Sequence, residues 1–226
     1  MPKNLLQSAI RNNAEWCELV ARSHGVPNEW RDNAWRATGS MPPFYPNVVS
    51  LEASMGRGNT SRLAEGLPQN CGWKDSFADL DLVDFGFDMR FEAIWYALTN
   101  VDFSAAGAKS VGVVRSAEQL GEWVAAWGEA PVEQPVFLPE LMGPNVQFIF
   151  HQSAGRVDSG LIANMSADAV GITNSFGYPG DIAHCIRYAS ERAQGVPIVG
   201  YGSDDDLRML ASLGFKALGS LRVWVR

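Results

Sequence analysis

The sequence predicts an α/β protein (α+β in its first hundred residues) with a mixed central sheet flanked by helices. The first observation is the last third of the chain, where strand and helix patterns alternate: strand 169–174, helix 181–194, strand 196–201, helix 203–213 and strand 220–225. That alternation is typical of an α/β domain. The second observation is an amphipathic helix over 5–23, which has one apolar face to bury against a sheet.

Composition fits a soluble globular chain of one or two domains. The chain has 226 residues, of which 46% are hydrophobic and 19% charged, and this is ordinary for globular proteins. The net charge of −7, with no cluster of Lys or Arg, argues against a nucleic-acid partner and suits an amine or cationic substrate.

No stretch has the roughly 20 consecutive apolar residues that a membrane span needs. The N-terminus also lacks the apolar run of a signal peptide. We therefore expect a cytoplasmic location and no membrane partner. The three cysteines, Cys17, Cys71 and Cys185, and the three histidines show no metal-ligand spacing, so we expect reduced thiols and no metal site.

The sequence of the first hundred residues predicts a mixture of helices and strands. After the helix 5–23, Asn28 is a candidate cap for a second helix through Trp35. A strand at 48–53, a glycine-rich loop at 55–59, a short helix at 61–66 and a strand at 91–97 follow. The glycines of the loop lack the third glycine of a dinucleotide-binding motif.

Two segments of the chain are similar to each other. Gly86-Phe87 precedes a strand that contains Trp95, and Gly214-Phe215 precedes a strand that contains Trp224, if one residue is skipped. This similarity indicates either a degenerate internal repeat or a coincidence.

The sequence of the second half of the chain predicts a longer series of helices and strands. A linker at 100–109 precedes a strand at 110–115, a helix capped by Ser116, a short helix at 135–142 and a hairpin that turns at 153–155. With the last third, residues 109–226 read β-α-α-β-β-β-α-β-α-β. This order resembles the GNAT acetyltransferases. It divides the chain into a segment 1–104, which is a trimmed second copy or an unrelated cap, and a GNAT-like domain 105–226.

The resemblance implies a fold and a ligand. Strands 169–176 and 196–201 should be parallel neighbours joined by helix 181–194, and acetyl-CoA should lie where they separate. The pantetheine arm would pair with a strand edge and the pyrophosphate would meet the start of the next helix. The implied positions are Thr173, Asn174, Ser175 and Phe176 for the strand edge, and Gly177, Gly180, Asp181 and Ile182 for the turn.

The turn departs from the family pattern R/Q-x-x-G-x-G/A. Pro179 removes one amide donor, and the carboxylate of Asp181 lies where a phosphate needs room. The segment is therefore either a modified phosphate site or a tight turn with Asp181 as the helix cap.

The resemblance also places a tyrosine general acid at the position of Leu210, which cannot transfer a proton. The candidate substitutes are Tyr201, Ser203 and Asp204, together with Asp205 and Asp206. The alternative for Ser203 and the acids that follow it is a helix cap with carboxylates that complement the helix dipole.

Two functions stay open at this point. One is acetyl-CoA-dependent N-acetyl transfer to a small amine or a peptide amine. The other is a non-catalytic GNAT-like module that binds a ligand or a protein and has lost the phosphate turn and the general acid. A homodimer also stays open.

Overall fold

The computed structural model describes residues 4–99, 110–128, 135–166, 168–191, 193 and 195–226. It confirms the mixed α/β class, because helices pack on both faces of one mixed sheet. The predicted linker 100–109 lies outside the described residues.

The described residues form five α-helices, and α1, α3 and α5 match their predicted starts closely. The helices are α1 (Leu5–Ser23), α2 (Arg57–Ala64), α3 (Ala117–Trp127), α4 (Pro179–Ser190) and α5 (Asp204–Ala211). Two single 3₁₀ turns cover Val83–Phe85 and Pro139–Leu141.

The strands of the described residues join into a single sheet. In chain order they are β1 (Asn28–Arg31), β2 (Ala34–Ala37), β3 (Val48–Ser50), β4 (Gly72–Asp75), β5 (Asp88–Leu98), β6 (Val111–Val113), β7 (Val146–Ser153), β8 (Arg156–Met165), β9 (Val170–Phe176), β10 (Ile198–Gly202) and β11 (Lys216–Val225). Their order across the sheet is β1-β2-β3-β4-β11-β5-β10-β9-β8-β7-β6.

The sheet order is nearly symmetric about the antiparallel pair β11 and β5. On one side lie β4, β3, β2 and β1, and on the other lie β10, β9, β8 and β7. Each side contains one parallel pair joined through a helix, β3–α2–β4 and β9–α4–β10. The parallel pairing of β9 and β10 confirms the predicted architecture. The strands of 1–104 and 105–226 thus share one sheet, and the boundary between these segments stays a prediction.

Three local predictions are wrong. The helix predicted from Asn28 to Trp35 is the hairpin β1–β2, because Asp32 and Asn33 both adopt positive φ, 48° and 62°. Two such residues favour a tight turn that matches the twist of the flanking strands. The loop predicted at 55–59 includes the first turn of α2, and the short helix predicted at 135–142 is only the 3₁₀ turn Pro139–Leu141.

The helix α1 lies across one face of the sheet and contacts strands of both segments. Ile10 packs with Trp95, Cys17 packs with Trp35, and Trp16 packs with Phe148. Helix α3 lies on this same face, while α2, α4 and α5 cover the other. The first helix of the chain therefore holds the middle of the sheet to both of its sides.

The two Gly-Phe segments precede equivalent strands, as the repeat interpretation requires. Gly86 and Gly214 both have positive φ, 80° and 91°, and β5 and β11 begin directly after the phenylalanines. Because these strands occupy equivalent places in the sheet, the topology favours a repeat over a coincidence.

The register between β5 and β11 refines that alignment. A two-fold rotation that superposes β5 on β11 maps the residue pairs of their register onto one another. These pairs include Tyr96 with Ala217, Ala93 with Leu221 and Met89 with Trp224. This superposition places Tyr96, rather than Trp95, on Trp224. The predicted tryptophan alignment, with its skipped residue, is thus displaced by one position from the register.

A close contact between α1 and β9 gives a test of this packing. The side chains of Asn12 and Asn164 are buried, and Asn164 Nδ2 donates a hydrogen bond to Asn12 Oδ1 at 3.0 Å. A Cβ at Gly171 would collide with both of their Oδ1 atoms. We expect Gly171→Ala to lower the free energy of unfolding by about 2–3 kcal/mol, because the pair must move apart.

Urea unfolding would measure this change. Gly121→Ala is the matched control, since a Cβ there meets nothing within 4 Å in the middle of α3. It should raise stability by about 0.5–1 kcal/mol, because alanine suits a helix interior better than glycine. Equal effects of the two substitutions would contradict the proposed contact.

Candidate functional site

A cavity of about 900 Å³ opens where the carboxyl ends of β9 and β10 separate. The two strands pair only at Val170 with Ile198 and Gly171 with Val199. Beyond these pairs the strands diverge. The cavity walls come from both segments of the chain and include Thr173, Asn174, Ser175, Tyr201, Lys74 and Asp206.

A bulge in β9 shapes the rim of this cavity. The register with β8 shifts between Ile162–Thr173 and Gly160–Phe176, and Asn174 has a φ of 51°. Asparagine tolerates this conformation better than most residues. The bulge takes Asn174 and Ser175 out of the regular ladder and turns them toward the cavity.

Side chains of the first segment hold the bulge in place. The Tyr45 hydroxyl donates to Asn174 Oδ1 at 3.2 Å and accepts from Trp16 Nε1 at 3.1 Å. Thr173 Oγ1 donates to the same Asn174 oxygen at 2.9 Å. Burial raises the pKa of Tyr45 well above its ordinary value, so its phenol remains a neutral donor.

A buried lysine lies beside the candidate tyrosine. Lys74 Nζ donates to Asn13 Oδ1 at 2.7 Å and lies 4.1 Å from the centroid of the Tyr201 ring. The Tyr201 ring packs edge-on against Trp95 at 5.3 Å between centroids. Lys74 and Arg90 both line the cavity, and their positive charge suits an anionic ligand.

The start of α5 separates the candidate acids from one another. Ser203 caps the helix, and its backbone N–H and hydroxyl both donate to Asp206 Oδ2 at 2.8 Å. Asp206 lines the cavity, whereas Ser203 and Asp204 are exposed outside its walls. Leu210 is buried in the core beneath α4. Of the candidate groups at the start of α5, Asp206 is thus the one that shares the cavity wall with Tyr201.

The turn before α4 differs from its predicted form. Tyr178 is the N-cap and Pro179 the first helical residue, so Asp181 lies in the first turn and the prediction that it caps the helix is wrong. The reason is that proline favours the first helical position, where its missing N–H costs nothing. Gly177 has a φ of 98°, and a Cβ there would collide with Ser159.

Few backbone N–H groups of this turn remain free to bind an anion. The N–H of Tyr178 donates to Ser159 Oγ at 3.1 Å, and those of Asp181 and Ile182 donate to the Tyr178 carbonyl. Pro179 has no N–H. The amide of Gly180 lies at an open surface, since a Cβ there would meet nothing within 4 Å.

The remaining predicted ligand-binding residues face away from the cavity. Phe176 packs edge-on against Trp123 at 5.0 Å between centroids, and Ile182 is buried in the core under α4. The structure thus places Thr173, Asn174 and Ser175 on the cavity wall and leaves Phe176 and Ile182 outside it.

Two of the histidines, which show no metal-ligand spacing in the sequence, lie together with a carboxylate in the fold. His151, Asp181 and His184 converge so that their ligand atoms lie within 4.8 Å of one another. Sequence spacing did not reveal this cluster, because β7 and α4 bring together residues that are far apart in the chain.

The three cysteines are free and buried. Burial raises the pKa of all three thiols, and that of Cys185 to about 12. The thiols therefore stay protonated at neutral pH. Within the described parts of the chain, none of the helices combines the length and the apolar character that crossing a bilayer requires.

The Tyr45 hydroxyl gives a test of how the first segment supports the bulge. We expect Tyr45→Phe to lower the free energy of unfolding by about 1–2 kcal/mol, because Trp16 Nε1 and Asn174 Oδ1 both lose a partner. Tyr178→Phe removes the same hydroxyl from a residue that is 70% exposed and should change stability by less than about 0.5 kcal/mol. Urea unfolding of both variants is the measurement, and a loss of equal size in the two would refute the role of Tyr45.

Comparison with known proteins agrees with this architecture. No protein-family model and no curated protein sequence matches the chain. Solved structures do match. A GNAT-family acetyltransferase structure from Novosphingobium aromaticivorans has a TM-score of 0.59 at 15% identity, and covers 93% of this chain and 94% of its own. A GCN5-related N-acetyltransferase from Kribbella flavida has a TM-score of 0.61 at 13% identity, with coverages of 96% and 95%.

A Drosophila protein structure has a TM-score of 0.57 at 12% identity and covers 96% of this chain and 89% of its own. The likeness therefore extends through the first hundred residues, beyond the half of the chain in which the resemblance was recognised. At such identities a structural match establishes the fold alone. The chain has the fold of the GNAT acetyltransferases.

Proposed function

We propose that the protein is an acetyl-CoA-dependent N-acetyltransferase that acts on a small amine or a peptide amine. The observation that carries the proposal is the separation of β9 from β10 after two register pairs, with a cavity of about 900 Å³ at the opening. A cavity of this size can enclose most of a ligand as large as the reacting end of acetyl-CoA.

The polar groups of β9 support a ligand that binds as an extended chain. The strand diverges from β10 beyond Gly171, so its backbone edge faces the cavity rather than a neighbouring strand. An amide-containing arm such as pantetheine can pair with such an edge. The positive charges of Lys74 and Arg90 on the cavity wall suit an anionic ligand.

The catalytic roles follow from the positions of Tyr201 and Asp206. The Tyr201 phenol, on the cavity wall, can donate a proton to the departing thiolate. The Asp206 carboxylate can take a proton from the attacking ammonium group, directly or through water. Ser203 orients Asp206 by its two hydrogen bonds, and Asp204 has no part in this arrangement. An amide of the β9 bulge is the candidate donor to the acetyl oxygen.

A non-catalytic binding module is the second candidate function. The small number of available amides before α4 favours it, because a conventional pyrophosphate site needs several. A protein that binds acetyl-CoA and transfers no acetyl group to any amine of a panel of amino acids, polyamines and peptides would support this candidate.

Acetyl-CoA titration of a glycine variant tests the ligand position. Gly180→Val should weaken binding by about tenfold or more, because the branched side chain fills the open surface through which a phosphate would reach the turn. Gly121→Val is the matched control, since its Cβ also meets nothing within 4 Å in a helix; it should leave the affinity unchanged.

Calorimetric titration, with a melting curve for each variant, provides the measurement. Equal affinities of the wild type and Gly180→Val would place the phosphates elsewhere. No binding by the wild type at millimolar acetyl-CoA would refute the proposed function.

Turnover of a tyrosine variant tests the general acid. Tyr201→Phe should lower kcat by about a hundredfold or more and leave the affinity for acetyl-CoA unchanged, because it removes only the proton donor. Tyr188→Phe makes the same change on α4, away from the cavity walls, and should keep full activity. A kcat of Tyr201→Phe within twofold of the wild type would exclude Tyr201 as the acid.

A further inference from the structure

We propose that His151, Asp181 and His184 form a binding site for a divalent transition-metal ion such as Zn²⁺. This site is separate from the cavity, whose walls contain none of the three residues. The inference does not rest on the proposed acetyl transfer.

The distances suit a metal ion after small side-chain movements. The ligand atoms lie within 4.8 Å of one another, and His151 Nδ1 is 3.7 Å from Asp181 Oδ1. Around a tetrahedral zinc ion with bonds of about 2.0–2.1 Å, neighbouring ligand atoms are roughly 3.3 Å apart. Rotation of the exposed parts of the side chains can close this difference, since Asp181 retains 26% of its side-chain exposure.

His184 supplies an independent observation. Its Nδ1 atom is buried and has no hydrogen-bond partner among the described residues. A buried polar atom without a partner loses the hydrogen bond that water gives it in the unfolded chain. A metal ion beside the ring would use the lone pair of this nitrogen and remove that cost.

The secondary structure holds the three ligands on two rigid elements. Asp181 and His184 are three residues apart in α4, so they lie on the same face of its first turns. His151 projects from β7, which packs beneath this helix. The centroids of the two histidine rings are 5.9 Å apart, so the rings are neighbours in the cluster.

A second carboxylate adds negative charge beside the site. Asp158 Oδ1 lies 2.9 Å from His151 Nδ1, and Asp158 also accepts a hydrogen bond from Ser153 Oγ. Because Asp158 contacts the same nitrogen that faces Asp181, it can exchange this hydrogen bond for a bond to the metal and serve as a fourth ligand. Two carboxylates beside two imidazoles favour a divalent cation.

The ligand set indicates which metals would bind. Two imidazoles and a carboxylate suit Zn²⁺, Co²⁺, Ni²⁺ and Cu²⁺, whereas Mg²⁺ and Ca²⁺ prefer oxygen ligands alone.

Zinc titration of the full chain, freed of metal and kept reduced, tests the proposal. The wild type should bind one equivalent of Zn²⁺. His151→Asn and His184→Asn should each weaken binding tenfold or more, since each removes a direct ligand. His24→Asn is the matched control, because His24 bonds to the Val136 carbonyl at a different place in the fold; its affinity should stay within twofold of the wild type.

Three outcomes would overturn the proposal. They are the absence of zinc binding by the folded wild type, equal affinities of all three variants, and a loss in His24→Asn as large as that in His184→Asn. In that case the cluster is only a hydrogen-bonded pair of His151 and Asp158 with its neighbours.

A spectroscopic measurement does not depend on the variants folding. The wild type loaded with Co²⁺ should show the visible bands of nitrogen and oxygen ligation without a thiolate-to-metal charge-transfer band. Such a charge-transfer band would assign the metal to a cysteine, such as Cys185 on α4, and overturn the site.

Discussion

The antiparallel pairing of β5 with β11 is the interaction on which the rest of the structure depends. Each is the last strand of its segment, and each lies beside a strand of the other segment: β11 beside β4, and β5 beside β10. Without this exchange, β4 and β10 would each expose an unpaired edge, which costs hydrogen bonds or invites aggregation. Tyr96 packs on Phe215, and Trp224 packs in the cluster of Phe87. The exchanged strands thus carry large aromatic side chains into the core on both sides, and neither segment completes its sheet alone.

The candidate site follows from this arrangement. The strand β10 is held by β5 on one side, and β9 is held by β8 on the other. Because each has a firm partner, the two can separate after Gly171 and Val199 without loosening the sheet. The polar groups exposed by that separation still need partners. The first segment supplies one of them through Tyr45, which donates to Asn174 from a loop, and Lys74 reaches the same cavity from β4. This explains why a region that the sequence connected with no chemistry forms most of the cavity wall.

Periodic patterns predicted the parts of the fold that have one strong local cause. The apolar face of α1 and the Ser203 cap of α5 are local features, and both were predicted closely. The hairpin at Asp32 and Asn33 was missed because Asn28 also suits a helix cap, and the deciding feature is the positive φ of two turn residues. Lys74 and the His151–His184 cluster could not be predicted from spacing, and spacing could not select Asp206 among the acids of α5. Their positions depend on strand exchange and on the packing of α4 over β7, which are long-range properties.

The carboxylate in the first turn of α4 points in a direction that the sequence motif does not reveal. In the sequence, Asp181 is a carboxylate that opposes any phosphate at the helix start. In the fold its oxygens point toward β7 and β8, where Ser159 Oγ lies 3.4 Å from Oδ2 and His151 Nδ1 lies 3.7 Å from Oδ1. Gly180 occupies the open side of the same turn. One turn therefore presents a carboxylate to the histidine cluster and a bare backbone to solvent. Since charge falls off with distance and with screening by water, the negative charge is strongest on the side of the cluster, and the glycine side remains accessible to an anion.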